Sequence, residues 1–423
     1  MINRGGKQMK FKKGISENQE FLIPKKPSEY ISEDHLAKMI YHLVDRLDFS
    51  KIESKYSTKG QNAYPPRMMT RLLFYGYCKE TRASRKISCA CEERYDFRYL
   101  SDGFIPSHDR IADFRKDNLD ELKEIFKQIV LLGLNMGLAD LGNINLSIDG
   151  SKIRANASAK LSKDEEGLQK LLDNLQDEIN KMFEKAERID EEEDRKYGKK
   201  NRGDELPKHL RSKKSREKAI KEAMKKLKIW KEKKKVKIKK EKNRDPTQAE
   251  LKKINKTKIN ITDHDAKFMK ERNGVIKPNY NTQISVDEKE QFIIANDVTD
   301  QCIDSHQLVS MLNKSEKNTG KKPKSAKADN GYSEQQLNNL IKLLKKKGRS
   351  EYKKRMHTVE PVFGNIKHNL GYRYFLLRGL NNVKGEFNLM CIAHNIKKIY
   401  SFILKKIKQL ATAPSFEKIP HFC

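Results

Sequence analysis

The stretch NINLSIDG (residues 143–150) is where apolar residues stop recurring every three or four positions and begin to recur every second one. Ile144, Leu146 and Ile148 alternate with Asn145, Ser147 and Asp149, the pattern of a β-strand with one apolar and one polar side. Asp149 closes the polar side and a glycine follows, so the strand is expected to end there with a carboxylate at its tip.

Upstream of this switch the spacing is helical. SEDHLAKMIYHLVDRLDFSKI (32–52), PPRMMTRLLFYGYCKE (65–80), ASRKISCACEERYDFRYL (83–100) and PSHDRIADFRKDNLDELKEIFKQIVLLGLNMGL (106–138) are amphipathic runs separated by turns. They predict a helical domain over 30–141, preceded by a flexible basic arm at 1–29. Basic residues near the helix starts (Arg82, Arg85, Lys86, then His108, Arg110, Arg115) suit a helix-turn-helix that reads DNA. The competing reading makes them the wet faces of a helical bundle.

Downstream, YNTQISVDE (280–288) and QFIIANDVTD (291–300) alternate again and predict an antiparallel hairpin. DSHQLVSMLNKSEKN (304–318) reads as a helix and KSAKADNGY (324–332) as a short strand ending in Asp329. A last helix begins near Glu360 in HTVEPVFGNIKHNL (357–370). Thr358 can cap it, Glu360 and Pro361 suit its first turn, and Val359, Phe363, Ile366 and Leu370 form its apolar stripe. Its other face carries His357, Glu360, Gly364 and Lys367. An α/β catalytic domain is therefore expected in two pieces, 142–157 and 260–404, with a tail at 405–423. Asp149 and Asp329 at strand ends, with Glu360 on the following helix, form a three-carboxylate set. Such a set suits a pair of Mg²⁺ or Mn²⁺ ions about 4 Å apart, acting in phosphoryl displacement.

Between the two pieces lies a long basic helical insertion, 158–259. Leu168, Leu171, Leu172, Leu175, Ile179, Met182, Phe183 and Ala186 make one helical stripe, and SREKAIKEAMKKLKIWKEKKKVKIKKEK (215–242) makes a second helix that would pair with it as a hairpin. Residues 195–258 carry a net charge of +20, which favours contact with phosphates; an arm that holds another subunit is the alternative.

The whole chain has 90 Lys plus Arg against 58 Asp plus Glu, a formal charge of +32, which points to nucleic acid as partner ahead of a solvated basic surface. No run approaches the roughly 18 to 20 apolar residues of a membrane span, and the basic N-terminus lacks the apolar core of a signal peptide. A cytoplasmic protein with no membrane partner is expected. Its six cysteines are scattered and read as reduced, mostly buried thiols.

With these residues in view, the chain resembles the DDE transposases of bacterial insertion sequences over about 30–400. The likeness is carried by YPPRMMTRLLFYGY, FRYLSDGFIPSHDRIADFRKDN, LSIDGSKIRANAS, ITDHDAKFMKERNGVIKPNYNTQISVDE, ADNGY, YKKRMHTVEPVFGNIKH and FLLRGLNNVKGEFNLMCIAHNIKKI, in that order. The resemblance implies a ribonuclease-H-like catalytic domain whose triad falls on Asp149, Asp329 and Glu360, all three as metal ligands. Its Tyr, Arg, Glu, Lys signature falls on Tyr352, Arg355, Glu360 and Lys367. Tyr352, Arg355 and Lys367, with Lys152, Arg154, Arg85 and Arg110, are the expected DNA contacts. Asp263 and Asp265 are rival carboxylates, read as polar contacts ahead of the hairpin. The implied activity is metal-dependent cleavage and strand transfer at element ends, by a dimer or larger assembly on double-stranded DNA. The interval between Asp329 and Glu360 is shorter than in relatives of this type. The alternatives are an internally deleted remnant that binds DNA without cutting it, or a nuclease of the same fold.

Overall fold

The computed structural model describes residues 26–56, 62–139, 144–173, 213–271, 274–304, 307–328 and 358–411. The helical region is made of α1 (Leu36–Asp45), α2 (Ser50–Glu53), α3 (Pro66–Cys78), α4 (Ser84–Glu93), α5 (Tyr95–Leu100), α6 (His108–Asp117) and α7 (Leu119–Asn135). Local chemistry sets several starts. Pro66 opens α3, where a missing N–H costs nothing, and the Ser107 hydroxyl accepts from the Arg110 N–H at the head of α6. Order begins ahead of the expected domain start: Pro27–Tyr30 forms a 3-10 turn, and the Tyr30 ring stacks on Tyr95 at 5.0 Å. Residues 1–25 of the expected arm lie outside the described residues.

The sheet follows as β1 (Asn145–Arg154), then, after the helices described below, β4 (Lys267–Lys270), β5 (Ile276–Asp287), β6 (Ile293–Thr299) and β7 (Ser325–Ala328). β5 is the long central strand: β1 pairs antiparallel along one side of it, and β4 and β6 share the other. β7 pairs with the free side of β1 in parallel, from Asn145↔Ser325 to Ile148↔Ala328. The hairpin between β5 and β6 forms as expected, its turn held by the Asp287 carboxylate accepting from the N–H groups of Lys289 and Glu290.

Two expectations about β1 need correction. The strand does not end at Asp149 but continues through Gly150 to Arg154, because β5 is long enough to pair with all of it. Nor is its polar side wet. Ile148 packs with Leu308 and Met311 of the crossover helix between β6 and β7, while Asp149 shares the opposite face with Ile284, its cross-strand partner. The last helix of the chain packs on β6 of the same sheet, and Ser147 is fully buried, its hydroxyl bonded to Glu288. A sheet covered on both faces hides its polar side chains as well as its apolar ones.

The insertion leaves and re-enters the sheet through a two-stranded ladder, β2 (Ser162–Lys163) with β3 (Ile259–Asn260). From it project α8 (Glu165–Asp173), α9 (Lys213–Lys242) and α10 (Gln248–Asn255), the last opened by a capping box of Thr247 and Glu250. Leu168 and Leu171 of α8 pack on Ala219, Ile220, Ala223 and Leu227 of α9, so the start of one expected stripe meets the second helix. Leu175 to Ala186 lie outside the described residues.

After β6 come the crossover helix α11 (Gln307–Thr319), β7, a helix at 358–364 that widens into a π turn at Asn365–Asn369, and α12 (Leu380–Ala411). Val359, Phe363, Ile366 and Leu370 are all buried, as their spacing predicts. One apolar core runs from Leu36 of α1 through the sheet to Ile399 of α12, so the helical region and the sheet share a single interior. Among the described residues, no helix is long and apolar enough to cross a membrane.

Candidate active site

Asp149 lies in the middle of β1, 9% exposed and on the face covered by the chain's last segments. Across the parallel ladder, Ile148 pairs with Ala328, so the strand neighbours are in register one residue before Asp149 on one side and Asp329 on the other. Asp329 itself lies outside the described residues, as do Tyr352, Arg355 and His357. Glu360 is half-buried on the 358–364 helix.

Lys367 fixes this helix against β1. Its ammonium donates to the Ser151 hydroxyl at 2.6 Å and to the Lys152 carbonyl at 2.7 Å, two residues along the strand from Asp149 and on the same face. Lys367 sits in the π turn, a local widening that changes the angle at which a side chain leaves the helix. The chain then keeps to β1: the Phe375 N–H donates to the Arg154 carbonyl at 2.9 Å. The contact of Lys367 with Ser151 is a site feature that residue spacing did not reveal, although both residues fall within the quoted motifs.

A buried histidine holds the same π turn from behind. The His394 Nε2–H donates to the Gln291 carbonyl, leaving Nδ1 to accept from the Asn365 amide, both at 2.9 Å. Complete burial pushes this imidazole from 6.5 down to about 4. The unfolded chain therefore binds a proton below pH 6.5 that the folded chain refuses until about pH 4, and stability falls as pH falls through that window. The loss expected between pH 7 and pH 5 is about 2 kcal/mol. Urea midpoints at the two pH values, compared with those of His394→Gln, will show it as a slope that the variant lacks.

The remaining expected DNA contacts divide. Arg85 and Arg110 are exposed on α4 and α6, and Lys152 donates to the Lys270 carbonyl at 3.1 Å. Arg154 pairs with both oxygens of Glu271, at 3.0 and 3.3 Å, which offsets its charge. Arg82 and Arg115 are corrections: neither is on the surface, at 7% and 5% exposure. Arg82 pairs with fully buried Glu386 on α12 and donates to the Tyr374 carbonyl, while Arg115 donates to the Arg82 carbonyl. Glu386 also accepts from the N–H groups of Leu376 and Leu377. The signal for it was present, since Glu386 falls at helical spacing with Val383, Phe387 and Met390, a carboxylate inside an apolar stripe.

The rival carboxylates make the polar contacts expected of them. Asp263 accepts from the Tyr280 hydroxyl and the Gly379 N–H, and Asp265 from the Leu380 N–H, so together they satisfy orphan donors at the head of α12. Burial raises the Asp263 carboxyl above its ordinary range. Among the described residues no group of three or more His, Cys, Asp or Glu gathers at one point; Asp149 and Glu360 are hard oxygen donors of the kind a divalent cation takes. Cys78, Cys91 and Cys391 are buried free thiols.

Residues 26–117 match the family model described as Transposase domain (DUF772), and residues 299–400 match the one described as Transposase DDE domain. No curated protein and no solved structure matches the chain. The first match covers the helical region up to the end of α6, and the second runs from the end of β6 through α11, β7 and the helix bearing Glu360 into α12. In this order on one chain, the two matches indicate an insertion-sequence transposase of the DDE type.

Proposed function

We propose that this transposase cuts DNA at the ends of its element and joins the cut strand to target DNA, using divalent cations held by Asp149, Asp329 and Glu360 in a ribonuclease-H-like domain. The observation that carries the proposal is the parallel pairing of β1 with β7, in register up to Ile148 and Ala328, with Lys367 laid on the same stretch of β1. Three antiparallel strands followed by a crossover helix and a parallel strand support the fold assignment.

Asp149 sits on a strand paired on both sides, so its position is fixed before DNA arrives and needs no reorganisation during reaction. When bound, the cations supply Lewis-acid stabilisation of charge on the attacking and leaving oxygens. Lys367, held by Ser151 and the Lys152 carbonyl, keeps a positive charge beside the carboxylates and directs a DNA phosphate toward them. The reading assigns DNA contacts to Lys152, Arg154, Tyr352 and Arg355, and recognition of the element end to Arg85 and Arg110 on α4 and α6. Joining two ends requires a dimer or larger assembly.

The test is incubation of the purified protein with Mg²⁺ or Mn²⁺ and duplex carrying the gene's own flanking ends. Nicks at the element boundary, followed by strand-transfer products, are expected, and chelation of the metal should abolish both. Hydrolysed ends without joined products would make the protein a nuclease. Binding without metal-dependent cleavage, by folded protein, would leave a DNA-binding remnant.

A further inference from the structure

We infer that the outward face of α9 is a sequence-independent clamp for the backbone of duplex DNA. The inference takes DNA as the partner from the proposed function and adds the surface that holds it away from the carboxylates.

The two sides of α9 have different chemistry. One side is closed: Ala219, Ile220, Ala223 and Leu227 are buried against α8, and Trp230 lies against Lys267 of β4. At 100° per residue the opposite side forms a stripe roughly 180° wide, carrying Lys221, Lys225, Lys228, Lys233, Lys237 and Lys240. All six lysines are exposed, and the only acids within the stripe over this length are Glu222 and Glu232. Lys221 and Lys237 are balanced within the helix by Glu217 and Glu241. Among the described residues, Lys225, Lys228, Lys233 and Lys240 enter no ion pair. These four charges lie along about 22 Å of helix, the rise of fifteen residues, and a DNA strand presents a phosphate every 3.4 Å or so.

Charge complementarity selects the occupant. Ile229 and Val236, 53% and 52% exposed, are seven residues apart at the centre of the stripe, but Lys233 and Lys240 occupy the positions that an apolar seam would need. A second copy of α9 would bring like charges together. A membrane surface would require a broad apolar face, and two aliphatic side chains do not make one. Against DNA both can rest on sugars while the lysines meet phosphates. On its closed side α9 meets the sheet through Trp230 and Lys267 of β4, a strand whose other end, Lys270, accepts from Lys152 of β1.

The test is the salt dependence of binding to a 30-base-pair duplex of unrelated sequence, measured without divalent metal. Replacing Lys225, Lys228, Lys233 and Lys240 together by Gln is expected to make the slope of log K against log salt shallower by about 3 to 4. Removing the same charge from Lys252, Lys253, Lys256 and Lys258 should change it by less than about 1. Trp230, the chain's single tryptophan, reports through its emission that α9 remains packed in each variant. Equal slopes for wild type and the α9 variant would overturn the clamp, as would equal losses in both variants. So would binding of wild type to phosphatidylserine vesicles that the α9 variant loses while its DNA slope is unchanged. Wild type that binds through this stripe but never cleaves would leave the clamp standing and remove the transposition reading instead.

Discussion

Asp149→Asn is expected to lower metal-dependent cleavage on the order of a thousandfold, the scale on which losing one preorganised charge-stabilising group is felt. The substitution keeps shape and removes charge. Asp149 is 9% exposed in a strand paired with β5 on one side and β7 on the other, so Asn fits the same space and the fold is expected to persist. Binding to DNA should be retained, because the exposed cations that contribute to it lie on other side chains. A second readout separates chemistry from binding. Mn²⁺ should raise the thermal midpoint of the wild type in a concentration-dependent way, since a ligand that binds only the folded state stabilises it, and should do so much less in the variant. Cleavage retained within tenfold of wild type would remove Asp149 from the catalytic set.

Glu386→Ala is expected to destabilise the protein by about 3 to 5 kcal/mol, the cost of leaving one partner of a buried ion pair uncompensated. Glu386 is fully buried, faces Arg82 at 3.2 Å and accepts from two backbone N–H groups, so its loss orphans one guanidinium and two amides together. Glu386→Gln keeps one acceptor oxygen and should cost less. The measurement is the urea midpoint followed by circular dichroism. In Arg82→Ala/Glu386→Ala, the two losses should sum to less than their separate values, because the orphaned charge is gone. Strict additivity would show that the pair does not act as a unit.

The parts of the fold legible in the sequence were those set by periodicity. The alternation of Ile144, Leu146 and Ile148 located β1, and the spacing of Val359, Phe363, Ile366 and Leu370 located the buried side of the helix bearing Glu360. What periodicity cannot give is the identity of the element on the other side. Ser147 reads as part of a polar side, and nothing near it in sequence shows its burial or its bond to Glu288, 141 residues later. Arg82 looked like a surface cation for the same reason, since the carboxylate of Glu386 that pairs with it lies 304 residues later, and Arg115 is buried against the Arg82 carbonyl. The carboxylate set was legible only as an order of motifs. The register between β1 and β7 and the grip of Lys367 on Ser151, on which the proposed site rests, are both long-range pairings.

The continuous core from α1 to α12 has a mechanical consequence. A recognition unit hung on a flexible tether can find its sequence and leave the blade free to swing. Here the described elements share one interior: α3 and α7 pack in the same core as β5, β6 and α12. The molecule is therefore a ruler. On the proposed function, any base steps that α4 and α6 grip lie at a distance from Asp149 that is set by folding, so the offset from landmark to cut is built into the protein.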